Sequence, residues 1–235
     1  MTKLGIIGAM DIEVQTLVQQ LQDLSVTQKA GSEYYEGTLQ GLPVVVVRCG
    51  IGKVNAAICT QILCDCFDVT HIVNTGIAGS LCAELDIGDL LISKDTMYHD
   101  FDAQRFGYEM GEVPGMGVLT FEADAEMIAF AQAAAEAVNP GHSRIGRVAS
   151  GDLFVAEREA KERIIANTQA LCTEMEGAAI AHVAFRNKVP FVILRAISDK
   201  ADDSAEMDYP TFEAIAAHRC AQVARIMAQK LSQLK

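Results

Sequence analysis

Residues 189–199 read V-P-F-V-I-L-R-A-I-S-D, an apolar, β-branched run without helical period that ends in Arg195, Ser198 and Asp199. An antiparallel strand with one wet face alternates polar and apolar residues, so a continuous run of this length fits a parallel strand buried on both faces. In open α/β sheets ligands bind at the carboxyl ends of such strands. This one stretch therefore predicts a covered sheet with a site near Asp199.

The rest of the chain is read around that strand. Residues 3–8 predict a first strand and 9–20 a helix, with Ile12, Val14, Leu17 and Val18 roughly on the helical period and Glu13 in its first turn. Residues 34–40, Gly41 and 42–49 read as a hairpin whose V-V-V-V run marks a central strand. Gly50-Ile51-Gly52-Lys53 leads into a helix. A strand at 70–74 is expected to end in a glycine-rich turn, Thr75-Gly76-Ile77-Ala78-Gly79-Ser80, and 89–95 is the next strand. Residues 97–121 are rich in aromatics, glycine and methionine without a period, and a loop of that length is more often functional than filler. A helix at 123–138, a strand at 145–150, a helix at 157–167, a strand with an acidic cluster at 171–176, a helix ending near Asn187, the opening strand and a last helix at 209–234 complete the chain. Strands alternating with helices, with no linker and no repeat, predict one α/β domain over 1–235. Its central sheet is expected to be largely parallel and flanked by helices.

Charge narrows the partners. With 19 basic and 31 acidic residues the net charge is −12, which argues against nucleic acid or an anionic membrane as the main partner. The seven cysteines form no C-x-x-C pair and read as buried thiols of a reducing compartment. The first ten residues resemble a core strand rather than a signal peptide, and no window approaches the length of a membrane span, so the expected location is the cytoplasm. The five histidines lack metal-ligand spacing, and no metal or other cofactor is expected.

Three acids stand at structurally meaningful points. Glu13 sits where a carboxylate complements a helix dipole, with Asp11 as a competitor for any chemical role. In Glu174-Met175-Glu176 two acids must repel unless ligands or donors engage one of them, and Glu176 opens a helix. Asp199 suits an Asx turn or a cap, while Asp202 and Asp203 nearby would favour its protonated form. The glycine turns at 50–53 and 75–79 either serve only the chain's path or let backbone amides approach a ligand, since glycine lacks the Cβ that would intervene.

Several motifs occur in order: G-I-I-G-A-M with Glu13, G-I-G-K-V-N-A-A at 50–57, N-T-G-I-A-G at 74–79, Y-H-D at 98–100, F-G-Y at 106–108, S-G-D-L-F at 150–154, E-M-E at 174–176 and R-A-I-S-D at 195–199. Together they resemble the 5′-methylthioadenosine/S-adenosylhomocysteine nucleosidases of the purine nucleoside phosphorylase superfamily. The resemblance implies a nucleoside phosphorylase-like three-layer fold with a central mixed, mostly parallel β-sheet, and a homodimer. It also implies hydrolysis of the bond between adenine and a 5′-thio-substituted ribose. Carried over, Asp199 is the acid that protonates adenine N7, and Glu13 the base on the attacking water. Glu176 holds the ribose hydroxyls, Met175 lies against the sugar, Phe154 stacks on adenine, and the Val155 backbone reads the purine edge. Met10, Ile51, Ile77, Ala78, Gly79, Glu174 and Ser198 line the same site, with Tyr209 closing over it where the family usually has phenylalanine. Ala103, Phe106 and Pro114 match a loop that reaches the neighbouring subunit's site. Ile77 stands where many members have serine, which leaves Ser198 and a backbone amide to orient Asp199 or shifts the base preference. Kept beside the hydrolase are a phosphorylase of the same superfamily, a nucleosidase for another adenosine derivative such as aminodeoxyfutalosine, and a non-catalytic nucleoside-binding module.

Overall fold

The computed structural model describes residues 2–202 and 205–233, the side chains of 206–208 excepted. The strands are β1 (Leu4–Gly8), β2 (Gln22–Lys29), β3 (Ser32–Leu39), β4 (Leu42–Arg48), β5 (His71–Ser80), β6 (Leu90–Tyr98), β7 (Phe121–Glu122), β8 (Ser143–Ser150), β9 (Cys172–Glu174) and β10 (Phe191–Asp199). The helices are α1 (Asp11–Val18), α2 (Lys53–Phe67), α3 (Ala125–Val138), α4 (Arg158–Thr168), α5 (Gly177–Asn187) and α6 (Ala205–Leu231). All strands belong to one mixed sheet ordered β10-β6-β8-β9-β5-β1-β4-β3-β2, with β7 on β6.

The sheet contains two parallel groups that run in opposite directions. Strands β4, β1, β5 and β10 pair in parallel, as do β6, β8 and β9. Antiparallel contacts β10–β6 and β5–β9 join the groups. Because β10 also pairs with β5, the strands β5, β10, β6, β8 and β9 close on themselves. The meander β2–β3–β4 extends the other end.

Burial on both faces explains the apolar runs. In β10, Val192, Leu194 and Ala196 join the core beneath α1, α3 and α6, whereas Phe191, Ile193 and Ile197 join the core beneath α2 and α5. Val44 and Val46 of β4 face the first core, and Val45 and Val47 the second. Each buried side chain of this size contributes roughly 1.5–3 kcal/mol. A smaller third core lies under α4. Among the described residues no helix is long and apolar enough to cross a membrane.

Three expectations change. Residues 75–80 are not a turn but the second half of β5, paired with β10 from Ile72 to Gly79. Strand β2 was not anticipated, because Q-D-L-S-V-T-Q-K mixes polar residues without clean alternation and is exposed along nearly its whole length. The last helix begins at Ala205 rather than Tyr209, and its expected end at Leu234 lies outside the described residues, as does Asp203.

Candidate active site

One cavity of about 430 Å³ opens at the tips of β1, β5, β9 and β10. It is lined by Ala9, Met10, Glu13, Ile51, Ile77, Ala78, Gly79, Leu153, Phe154, Val155, Thr173, Glu174, Met175, Glu176, Ser198, Asp199 and Tyr209. Every expected substrate-binding residue and both expected catalytic residues meet here. Ala103, Phe106 and Pro114 do not: Ala103 is buried, while Pro114 is exposed and Phe106 is 83% exposed on the surface loop.

Glu13 reaches the cavity because α1 starts directly after β1. Its Oε2 accepts from the amides of Ala9 at 2.6 Å and Met10 at 3.0 Å, and Oε1 accepts from Ile77 N at 3.1 Å. The carboxyl therefore does cap its helix, but it is only 2% exposed and also lines the cavity. Burial pushes its pKa above the ordinary value, against Arg195 and the three N–H donors. Asp11 points outward, its side chain 80% exposed and 3.3 Å from Arg48.

The two acids of the E-M-E cluster divide the work. Glu174 accepts from Arg195 and from Ser150 Oγ, and from the amides of Glu176 at 3.1 Å and Gly177 at 2.7 Å. It thus takes up two of the amides that open α5. Glu176, released from that task, accepts from Gly52 N at 2.8 Å and borders the cavity. Burial, then repulsion from Glu174, raises the Glu176 pKa to about 7, while Arg195 and the Gly52 N–H pull it down.

Arg195 holds this cluster from below. It is fully buried, donates to Asn74 and Glu174, and lies 3.8 Å from Glu176 Oε2. Burial opposes its charge, yet the combined field of Glu174, Glu176 and Glu13 outweighs that and holds the guanidinium above its ordinary value. Gly76 makes the approach possible, since a Cβ there would overlap the guanidinium and stand 2.7 Å from Glu13 Oε1. Gly79 does the same for Asp199, with its Cβ position 2.7 Å from Asp199 Oδ1. These glycines are spacers inside a strand, not hinges of a turn.

Asp199 is oriented from both sides. Ser198 Oγ donates to Oδ2 at 2.8 Å and Ala201 N donates to Oδ1 at 2.8 Å, the Asx-turn bond. Ile77 contributes its backbone amide to Glu13 and its side chain to the core. Across the cavity Phe154 and Tyr209 pack edge to face at 5.7 Å, and Tyr209 Oη donates to Met10 Sδ at 3.2 Å. Among the described residues no group of His, Cys, Asp or Glu is arranged to hold a metal ion.

The model of the phosphorylase superfamily matches residues 3–229. A 5′-methylthioadenosine/S-adenosylhomocysteine nucleosidase of Halalkalibacterium halodurans is 45% identical over 213 residues, 90% of this chain and 91% of the relative. The chain belongs to the 5′-methylthioadenosine/S-adenosylhomocysteine nucleosidase family. The crystal structure of the Colwellia psychrerythraea nucleosidase in complex with adenine matches at TM-score 0.94 and 38% identity, covering 98% of this chain and 96% of that one. Futalosine hydrolase of Helicobacter pylori shares the fold at TM-score 0.92 and 31% identity, covering 97% and 98%.

Within this nucleosidase architecture, sequence reasoning missed Arg195, Asn74 and Ser150 as parts of the site. The signal for Arg195 was present: an arginine between Leu194 and Ala196 in a buried strand demands a carboxylate partner. Asn74 and Ser150 gave no comparable sign, because a single polar residue inside β5 or at the end of β8 does not by itself reveal a buried partner.

Proposed function

We propose that the protein hydrolyses the N-glycosidic bond of 5′-methylthioadenosine and S-adenosylhomocysteine, releasing adenine and the thioribose product. The observation that carries this reading is the convergence of Glu13, Glu176 and Asp199 on one largely apolar cavity whose rim holds Phe154. Cleavage leaves positive charge on the sugar and negative charge on the departing purine. An acid at the base, a carboxylate holding water under C1′ and a grip on the ribose hydroxyls answer those three demands.

Asp199, fixed by Ser198 and Ala201, supplies the proton to N7. Glu13, whose burial strengthens it as a base, takes a proton from the attacking water. Glu176 holds the ribose hydroxyls with two acceptor oxygens, a grip that tightens as charge develops on the ring. Phe154 covers adenine and the Val155 backbone reads its edge.

Water rather than phosphate is the nucleophile. Among the described residues no lysine or arginine lines the cavity, and Glu13 stands where a phosphate would be repelled. The likeness to a futalosine hydrolase keeps a second reading, a nucleoside of the futalosine type, in view. Turnover of methylthioadenosine, adenosylhomocysteine, futalosine-type nucleosides, deoxyadenosine and inosine, measured side by side, tests the assignment. The two thio-substituted adenosines should lead, and a preference for inosine or for the futalosine type would overturn it.

The working form in this reading is a homodimer in the cytoplasm. Exposed apolar side chains at Val54, Ile58, Phe106 and Phe185 support an interface, with Phe106 and Pro114 entering the partner's site. Seven free cysteines support a reducing compartment.

A further inference from the structure

A polar cluster at the cavity rim takes no part in the chemistry above. Lys53 N, the first amide of α2, donates to Asp152 Oδ1 at 2.8 Å. The Lys53 ammonium lies 2.6 Å from Asp100 Oδ2 and 3.7 Å from Asp152 Oδ2, above the Tyr98 ring. Asp152 N donates to the same Asp100 oxygen at 2.9 Å. Three segments meet here: the start of α2, the residues just past β6 and the turn after β8.

Helix α2 has no cap of its own, because its N-cap is Gly52 at φ 96°. An oxygen for one of the helix's first, otherwise unpaired amides comes instead from Asp152, far along the chain. A Cβ on Gly52 would stand 3.0 Å from that same oxygen, so glycine and aspartate fit as a pair. The neighbouring amide, Gly52 N–H, is the one that binds Glu176. Two and three residues after Asp152 come Phe154 and Val155 of the cavity wall. Asp152 therefore ties the purine side of the cavity to the ribose side.

We propose that Asp152 is a positioning residue: by capping α2 from the loop that carries Phe154 and Val155, it sets the purine wall against the Gly52 amide that orients Glu176. The proposal rests on the reading that Phe154 and Glu176 grip the nucleoside. Asp100 holds the Asp152 backbone in register, and Lys53 offsets the charge of both acids.

Asp152→Ala and Asp152→Asn in the full chain test it. The alanine variant should raise KM for methylthioadenosine about tenfold with a smaller fall in kcat, since a displaced wall weakens binding first. The asparagine variant keeps an oxygen for Lys53 N–H and should stay within about threefold of wild type. Amide exchange in the substrate-free protein reads the cap directly: residues 52–56 should exchange faster in the alanine variant and not in the asparagine variant. A KM change below about threefold in Asp152→Ala overturns the proposal, even if the melting temperature falls, because that marks a purely structural cap. Asparagine as impaired as alanine, or unchanged exchange in the alanine variant, overturns it too. Should wild type release no adenine, the functional reading fails by itself, and exchange with adenine affinity in the two variants then decides the role of Asp152.

Discussion

Glu174 accepts from Ser150, Arg195 and the amides of Glu176 and Gly177, so both of its oxygens are committed to the protein. Glu176 and Glu13 accept fewer bonds from the protein and line the cavity, and that difference, not residue type, underlies the proposed roles. Asp199→Asn and Glu13→Gln should each lower kcat by about 10²–10⁴-fold, with Asp199→Asn still binding nucleoside in a calorimetric titration. Wild-type rates in both would remove the proposed acid and base. Glu176 makes a separate prediction. Its folded pKa of about 7 stands above the ordinary 4.5, so proton binding favours the folded state. That stability is complete below the unfolded pKa and is lost as pH rises through the folded one. Glu176→Gln removes the penalty, so the variant's melting temperature should gain on wild type between about pH 5 and about pH 8. A difference that stays constant over that window contradicts the account. The acids were legible in the sequence as candidates, because each falls at a strand end or a helix start. Which of Asp11 and Glu13 turns inward was not legible, since that depends on the Ile77 amide from a strand 64 residues away.

Strand β5 shows why element boundaries were harder to read than element types. T-G-I-A-G carries two glycines, which ordinarily mark a turn, yet the backbone remains extended and paired with β10 through Gly79. The glycines answer to neighbours that local sequence does not reveal, Arg195 with Glu13 at Gly76 and Asp199 with Ala201 at Gly79. Gly76→Ala should therefore cost roughly 1–3 kcal/mol in chemical denaturation, because the added methyl must displace a buried guanidinium. It should also depress activity more than stability, since the displaced groups are Arg195 and Glu13. An alanine variant with wild-type stability and rate would show that the strand's close approach is dispensable. β4 and β10 were easy by comparison, their unbroken apolar runs being the direct result of burial on two faces. At α6, Pro210 suits a helix that starts at Tyr209, and the structure adds a turn before it.

At the scale of the whole molecule the closed ring of β5, β10, β6, β8 and β9 brings distant segments to one rim. Glu13, Glu176 and Asp199 come from the start, the later part and the end of the sheet's chain order, and no local pattern could show that they meet. The proposed sharing of the site between two subunits predicts its own failure mode. Phe106→Ala should raise KM for methylthioadenosine while leaving the melting temperature within a few degrees, and sedimentation at micromolar concentration should show a dimer. A fully active monomer would refute the contribution of Phe106 to a second subunit. The most direct test of hydrolysis is adenine release from methylthioadenosine in phosphate-free buffer. Hydrolysis predicts full turnover with free methylthioribose as co-product and no change when phosphate is added. A strict phosphate requirement, with a sugar 1-phosphate as product, would contradict it.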